Sequence, residues 1–235
     1  MVLHSGEYKN GKRFEGKQVL VVGFGNSGGE LAIDLHEHGA LPSLAVRGPV
    51  NAIPRELLGI PILTLAVIID RLPARLADAL TRPMARLALG DLSKLGLSRP
   101  ATGPLEQVRT LHRVPFIDVG TIALIRAGKI KVCPGMRAFT ATGVRFADDT
   151  EAPFDAVVLA TGFRPRLDEF LDAPGALNAE GLPVQNGREV KPGLFFCGFH
   201  VAGTGMLREI AIEAKRIAAA ITTQSTPALP AGATT

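Results

Sequence analysis

The chain has 235 residues, 46% of them hydrophobic, and a formal net charge of +4 at neutral pH, enough for one or two domains with a substantial core. Its lysines and arginines are scattered, and one Tyr with no Trp leaves little to stack bases, so a nucleic-acid partner is not expected. Cys133 and Cys197 form no C-x-x-C, which speaks against a dithiol centre or a zinc site; they read as small buried residues at strand ends, consistent with a reducing cytoplasm.

Residues 1–16 read as an entry linker; their polar start, MVLHSGEYKNGKR, does not resemble a signal peptide. Gln18–Val22 is an apolar, Val-rich run of the kind buried on both faces of a parallel sheet. Gly23, Phe24, Gly25, Asn26, Ser27 and Gly28 follow as G-x-G-x-x-G, and Glu30–His38 reads as a helix. Strand, glycines and helix in that order make a dinucleotide cradle. The first glycine makes the tight turn, the second admits the pyrophosphate, and the third lets the helix pack on the strand. The helix N-terminus presents free N–H groups to the anion. The next strand, Ser43–Val46, ends in Arg47. An acid at this place selects NAD by binding the ribose 2′-hydroxyl, whereas an Arg accommodates the 2′-phosphate of NADP, so NADP is the expected cofactor.

The run LLGIPILTLAVII, 57–69, is shorter than the roughly 17–25 residues needed to cross a bilayer. It reads as a buried or interfacial helix, with peripheral membrane contact as a minor alternative. In RLPARLADALTRPMARLALGDLSKLGL, 71–97, Leu72, Leu76, Ala79 and Leu80 sit at helical spacing and predict a core-facing stripe. Residues 116–133 read as a helix, a stop at Gly128 and a strand that closes a nucleotide domain at about residue 135. Short antiparallel strands are expected at Arg137–Thr140 and Gly143–Phe146, with a turn at Asp148-Asp149. Buried strands at DAVVLATGFRP and GLFFCGF and a helix from about Gly205 to Ile221 follow. The remainder, TTQSTPALPAGATT, reads as a disordered low-complexity tail.

Tyr8 and Lys12 match the Y-x-x-x-K catalytic pair of short-chain dehydrogenases, but they precede the glycine loop, so chance is the better reading. His36 and His38 read as solvated or capping groups at a helix C-terminus. His112 has no ligand partners in sequence, and His200 is a loop histidine.

Several blocks together resemble the class B flavoprotein monooxygenases, the group of flavin-containing monooxygenases and Baeyer–Villiger enzymes, and within it the YUCCA-type indole-3-pyruvate monooxygenases. They are VLVVGFGNSGGELAIDL, PRELLG at 54–59, LGDLSKLGLSRPATGPLE at 89–106, FIDVGTIALIRAGKIKVCPGM at 116–136, FDAVVLATGFRP at 154–165 and GMLREIAIEAKRIA. The resemblance implies an α/β fold: a Rossmann-like NADP-binding domain with a helical insertion (17–135), then the returning part of an FAD-binding domain (136–222).

It further implies that Thr161, Gly162, Gly198, Phe199 and Gly205 lie beside FAD. The glycine loop corresponds to the family's second, NADPH-binding one. His4 and Tyr8 match the last two anchors of the family's linker signature, whose first two would precede residue 1. The expectation is thus half of an NADPH- and FAD-dependent monooxygenase with an incomplete FAD site, acting through a flavin hydroperoxide on a small-molecule substrate. A separate chain would supply the FAD-binding half, and a homo-oligomer is compatible with the sequence. The alternative is a non-catalytic NADP-binding module or an inactive truncated gene product. No side chain reads as an essential nucleophile or acid, and no metal is expected.

Overall fold

The computed structural model describes residues 1–225. The chain divides into two compact units, Met1–Phe163 and the residues from Arg164 onward.

The first unit is built on a five-stranded sheet in which every pairing is parallel. Its spatial order is Val2–His4, Ala156–Leu159, Gln18–Val22, Leu41–Val46, Lys131–Pro134. Alternation along the central strand sends neighbouring side chains to opposite faces. Val19 and Val21 join a core with Ala32 and Leu35 of helix α1 (Asn26–Glu37), together with Ile122 and Ile125. Leu20, between them, joins Ala45 and Val157 on the other face, where Val144 and Phe146 cover them. Those two residues belong to a three-stranded antiparallel sheet, Met136–Phe139, Gly143–Phe146 and Glu151–Pro153. The unit is therefore layered as helix, parallel sheet and antiparallel sheet.

Between Leu41–Val46 and Lys131–Pro134 the chain makes a helical excursion. It contains α2 (Ile62–Ile69), α3 (Ala74–Leu89), α4 (Pro104–Leu111) and a parallel pair, Ala52–Pro54 with Phe116–Asp118. Helix α5 (Thr121–Arg126) follows, ending before Gly128 at φ +70°. The second unit gathers Leu167, Ala176 and Phe196 into a small core. It also carries a short hairpin, Glu189–Lys191 with Leu194–Phe195, and α6 (Met206–Ser225).

Several expectations are corrected. The first residues are not only a linker: Val2–His4 forms an edge strand, and Phe14 is fully buried. The sheet does not close at residue 135, because the strand before Thr161-Gly162 is inserted between the first two strands of the chain and belongs to the first unit. The antiparallel strands lie on the back of that same sheet. Phe116–Asp118, expected as helix, is a strand that leads into α5.

The expected stripe on α3 is also displaced. Leu76 and Leu80 are exposed, and the helix packs instead through Ala77, Asp78, Ala85 and Leu89. Residues 57–69 form a turn and α2, on which only Ala66 is buried. No helix among the described residues is long and apolar enough to cross a membrane. The two cysteines, expected to be buried, are not: Cys133 is half-buried and Cys197 is exposed. Helix α6 runs on through Ser225 into the expected tail; residues 226–235 lie outside the described residues.

Candidate functional site

The glycine loop sits at the C-terminal end of the central strand. Gly23 has φ +114°, and a Cβ there would lie 2.4 Å from the Ala160 carbonyl oxygen. The tight turn is thus also a contact between two adjacent strands. A Cβ on Gly28 would lie 2.1 Å from the Gly23 oxygen, so the third glycine lets α1 press directly on the loop. Gly25 differs: its backbone is extended, at φ −113° and ψ −175°, and a Cβ would meet nothing within 4 Å. Its missing side chain serves open space, where a ligand can approach. Gly25 is also the N-cap of α1, which has no side-chain cap and no acid in its first turn. The N–H groups of that turn and the positive end of the helix dipole are left for an anion.

The rest of the loop is held from the helical excursion. Asn26 accepts a hydrogen bond from the Ile117 N–H through Oδ1 at 2.8 Å, and the Phe24 ring packs on Phe116 with centroids 4.5 Å apart. A Cβ on Gly29 would lie 2.5 Å from that same Phe116 ring. Asn26 therefore spends its carbonyl oxygen on the scaffold, while Ser27 is exposed.

Register sets where Arg47 falls. The Gly23 N–H donates to the Ala45 carbonyl at 3.1 Å, and Val22 pairs with Ala45, so Arg47 leaves the neighbouring strand one residue beyond the level of the loop's first glycine. It is exposed. Gly135 lets the next strand pass close by, a Cβ there lying 2.9 Å from the Arg47 Cα. Thr161 and Gly162 follow the strand on the other side of the loop; both are exposed, and Gly162 has φ +93° with open space around it. The structure thus brings Gly23, Phe24, Gly25, Asn26, Ser27, Gly28, Arg47, Thr161 and Gly162 to the same end of three adjacent strands.

Gly198, Phe199 and Gly205 belong to the second unit. Gly198, at φ +89°, donates its N–H to Glu213 Oε2 at 2.7 Å, and Glu213 on α6 is buried. Phe199 packs edge-on against Phe196. Gly205, at φ +101°, immediately precedes α6, whose first turn is tied by Thr204 Oγ1 donating to Glu209 Oε1 at 2.6 Å.

The rival constellations resolve into structural roles. Tyr8 donates its hydroxyl to Asp34 Oδ2 on α1 at 2.6 Å. Burial first, then Asp34, pushes the phenol far above the ordinary tyrosine range, the opposite of what a catalytic tyrosine needs. His38 caps α1, with Nδ1 at 2.8 Å from the Asp34 carbonyl oxygen. His112 ends α4 in the left-handed region at φ +50°. No metal-binding cluster occurs among the described residues.

Because the native state holds the Tyr8 proton more tightly than the unfolded chain, its contribution is complete below about pH 10 and is lost as pH rises further. Tyr8→Phe is expected to cost about 1 kcal/mol at neutral pH. The gap to the parent should close above about pH 10, as read by urea unfolding across that range.

The sequence did not single out Asn26 as a strut, although an Asn opening a helix suggests side-chain bonding to backbone. It also passed over Asp118, whose Oδ1 accepts from Gly120 N–H at 3.2 Å and Ile122 N–H at 3.0 Å. The Asp-x-Gly-Thr pattern at 118–121 carries that signal.

A parallel sheet whose central strand runs into a glycine loop at a helix N-terminus defines a Rossmann-like α/β protein of the dinucleotide-cradling kind. The chain belongs to the Flavin-binding monooxygenase-like (FMO-like) family, which it matches over residues 1–174. It is 43% identical over 206 residues to indole-3-pyruvate monooxygenase YUCCA1 of Oryza sativa subsp. japonica, covering 86% of this chain and 51% of that protein. To YUCCA6 of Arabidopsis thaliana it is 40% identical over 223 residues, covering 93% of this chain and 53% of that protein. The chain therefore spans about half the length of these relatives.

Solved structures agree on the fold. A flavin-containing monooxygenase from Stenotrophomonas maltophilia aligns with a TM-score of 0.56 at 19% identity, over 96% of this chain and 56% of that one. An open cyclohexanone monooxygenase aligns with a TM-score of 0.59 at 14% identity, over 94% and 57%.

Proposed function

We propose that this chain is the NADPH-binding portion of an NADPH- and FAD-dependent monooxygenase that transfers one oxygen atom to a small organic acid, the class to which the substrate named for its relatives belongs. The observation that carries the reading is the cradle itself. Open space stands over Gly25, an uncapped helix N-terminus faces it, and an exposed Arg47 follows on the adjacent strand.

In this reading the N–H groups of the first turn of α1 hold the pyrophosphate. Arg47 engages the 2′-phosphate through its planar fork of donors. Asn26 fixes the loop against Ile117, so the cradle is formed before the ligand arrives. Thr161 and Gly162, which follow the strand beside the loop, are assigned to the flavin, as the family resemblance implies, and so are Gly198, Phe199 and Gly205. The flavin, when bound, supplies oxygen activation at the expense of NADPH, and the protein's part is positioning and exclusion of water. These 235 residues contain one G-x-G-x-x-G, so FAD uptake by this chain alone is expected to be weak, and the purified chain should lack flavin absorbance.

The test is Arg47→Ala. Its affinity for NADPH should fall about 10- to 100-fold, equivalent to roughly 1.4–2.7 kcal/mol, with NADH binding little changed. Equal losses for the two nucleotides, or none for either, would refute the role given to Arg47.

A further inference from the structure

We infer that Arg82, Arg86 and Arg99, which lie outside the glycine loop, form an anion-binding site that takes a phosphate-type dianion. Arg82 and Arg86 are one helical turn apart on α3, a spacing at which like charges face each other and repel. Arg82 donates through Nη2 to the Ala101 carbonyl at 2.9 Å, which fixes it against the segment that carries Arg99. Arg99 is partly buried, and its Nη2 is a fully buried nitrogen with no hydrogen-bond partner among the described residues.

A buried guanidinium nitrogen without an acceptor is costly, and unpaired buried polar atoms commonly mark a missing ion or water. Burial first, then the charges of Arg86 and Arg82, lowers the Arg99 pKa, with Asp91 as the one opposing charge. Asp91 offsets only one of the three positive charges, and its Oδ1 is held by Ser93 N–H at 3.0 Å and Ser93 Oγ at 2.7 Å. Three guanidinium groups against one occupied carboxylate leave a charge of about +2, which a phosphate monoester matches in sign, size and fork geometry.

The dianion has two possible sources, and backbone pairing keeps them in view. The Val50 N–H donates to the Ser98 carbonyl at 2.8 Å, linking the residue before Arg99 to the stretch that follows Arg47. One source is therefore the 2′-phosphate of NADPH, and the other is a separate phosphorylated small molecule.

The experiment is thermal unfolding of the full chain with inorganic phosphate, against chloride at matched ionic strength. At about ten times its dissociation constant, phosphate should raise the midpoint by about 3–5 °C. Arg99→Gln and the surface change Arg86→Gln should each abolish most of that rise. Arg99→Gln should also leave the ligand-free midpoint equal or higher, since it removes a partly buried charge that faces Arg82 and Arg86. Phosphate protection that adds to saturating NADPH identifies a separate ligand; protection that adds to NADH but not to NADPH identifies the 2′-phosphate. No protection beyond chloride, or an undiminished rise in both variants, overturns the site.

Discussion

Gly25→Ala is expected to leave the fold intact while weakening NADPH binding about 100-fold, or roughly 2.7 kcal/mol; Gly28→Ala is expected to damage fold and binding together. The two glycines stand three residues apart, yet a Cβ meets opposite surroundings at each. At Gly25 it enters open space from a backbone any residue can adopt. The cost of Ala as an N-cap is offset by the reduced freedom of the unfolded chain, so stability should move by less than about 0.5 kcal/mol. What the methyl occupies is the approach to the first turn of α1, where the proposed function puts the pyrophosphate. At Gly28 the Cβ would lie 2.1 Å from the Gly23 oxygen, a backbone atom that can give way only if the loop moves. Overpacking of this kind costs about 1–3 kcal/mol. Calorimetric titration with NADPH and thermal unfolding of the two variants separate the outcomes. Equal behaviour in both measurements would mean that the open space over Gly25 is not where the nucleotide binds.

Asp78→Ala is expected to destabilise the first unit by about 2–3 kcal/mol and lower its midpoint by roughly 5–10 °C. Helix α4 begins at Pro104 after Gly103, a residue with no side chain to cap it. The cap comes from α3. Asp78, 4% exposed, accepts the Leu105 N–H on Oδ1 at 2.9 Å and the Glu106 N–H on Oδ2 at 3.0 Å. One buried carboxylate thus satisfies the second and third N–H groups of another helix and sits at its positive end. Removing it leaves both donors without partners. Gly103 is glycine for the same reason, since a Cβ there would lie 2.2 Å from Asp78 Oδ2. Gly103→Ala should therefore reproduce most of the loss by expelling the carboxylate. Differential scanning calorimetry of the two variants checks the pair, and a Gly103→Ala protein as stable as the parent would rule out the cross-helix cap.

What was legible in the sequence was local. The cradle, the Asp148-Asp149 turn, the stop at Gly128 and α6 each announce themselves within a few residues, through turn chemistry or helical period. Long-range pairing was not legible. The Ala156–Leu159 strand is slotted beside Gln18–Val22, with the Gln18 N–H donating to Asp155 across 137 residues. No period or propensity near residue 156 says which neighbours it will have.

Helix α3 shows a different failure. Its leucines have helical spacing, but it packs through Ala77, Asp78, Ala85 and Leu89 while Leu76 and Leu80 are exposed, so the apolar count pointed to the wrong face. Asp78 could not be recognised because its partners lie 27 and 28 residues away. Among the candidate site residues, the place of the glycine loop between strand and helix, and of Arg47 just after the next strand, followed from spacing. The position of Thr161-Gly162 beside Gly23 required the sheet.

The most direct test of the central claim is calorimetric titration of the purified 235-residue chain with NADPH, with NADH as the comparison. One site per chain, at least about tenfold tighter for NADPH, roughly 1.4 kcal/mol, is the predicted result. Two sites per chain, equal affinity for the two nucleotides, or no heat of binding would contradict it.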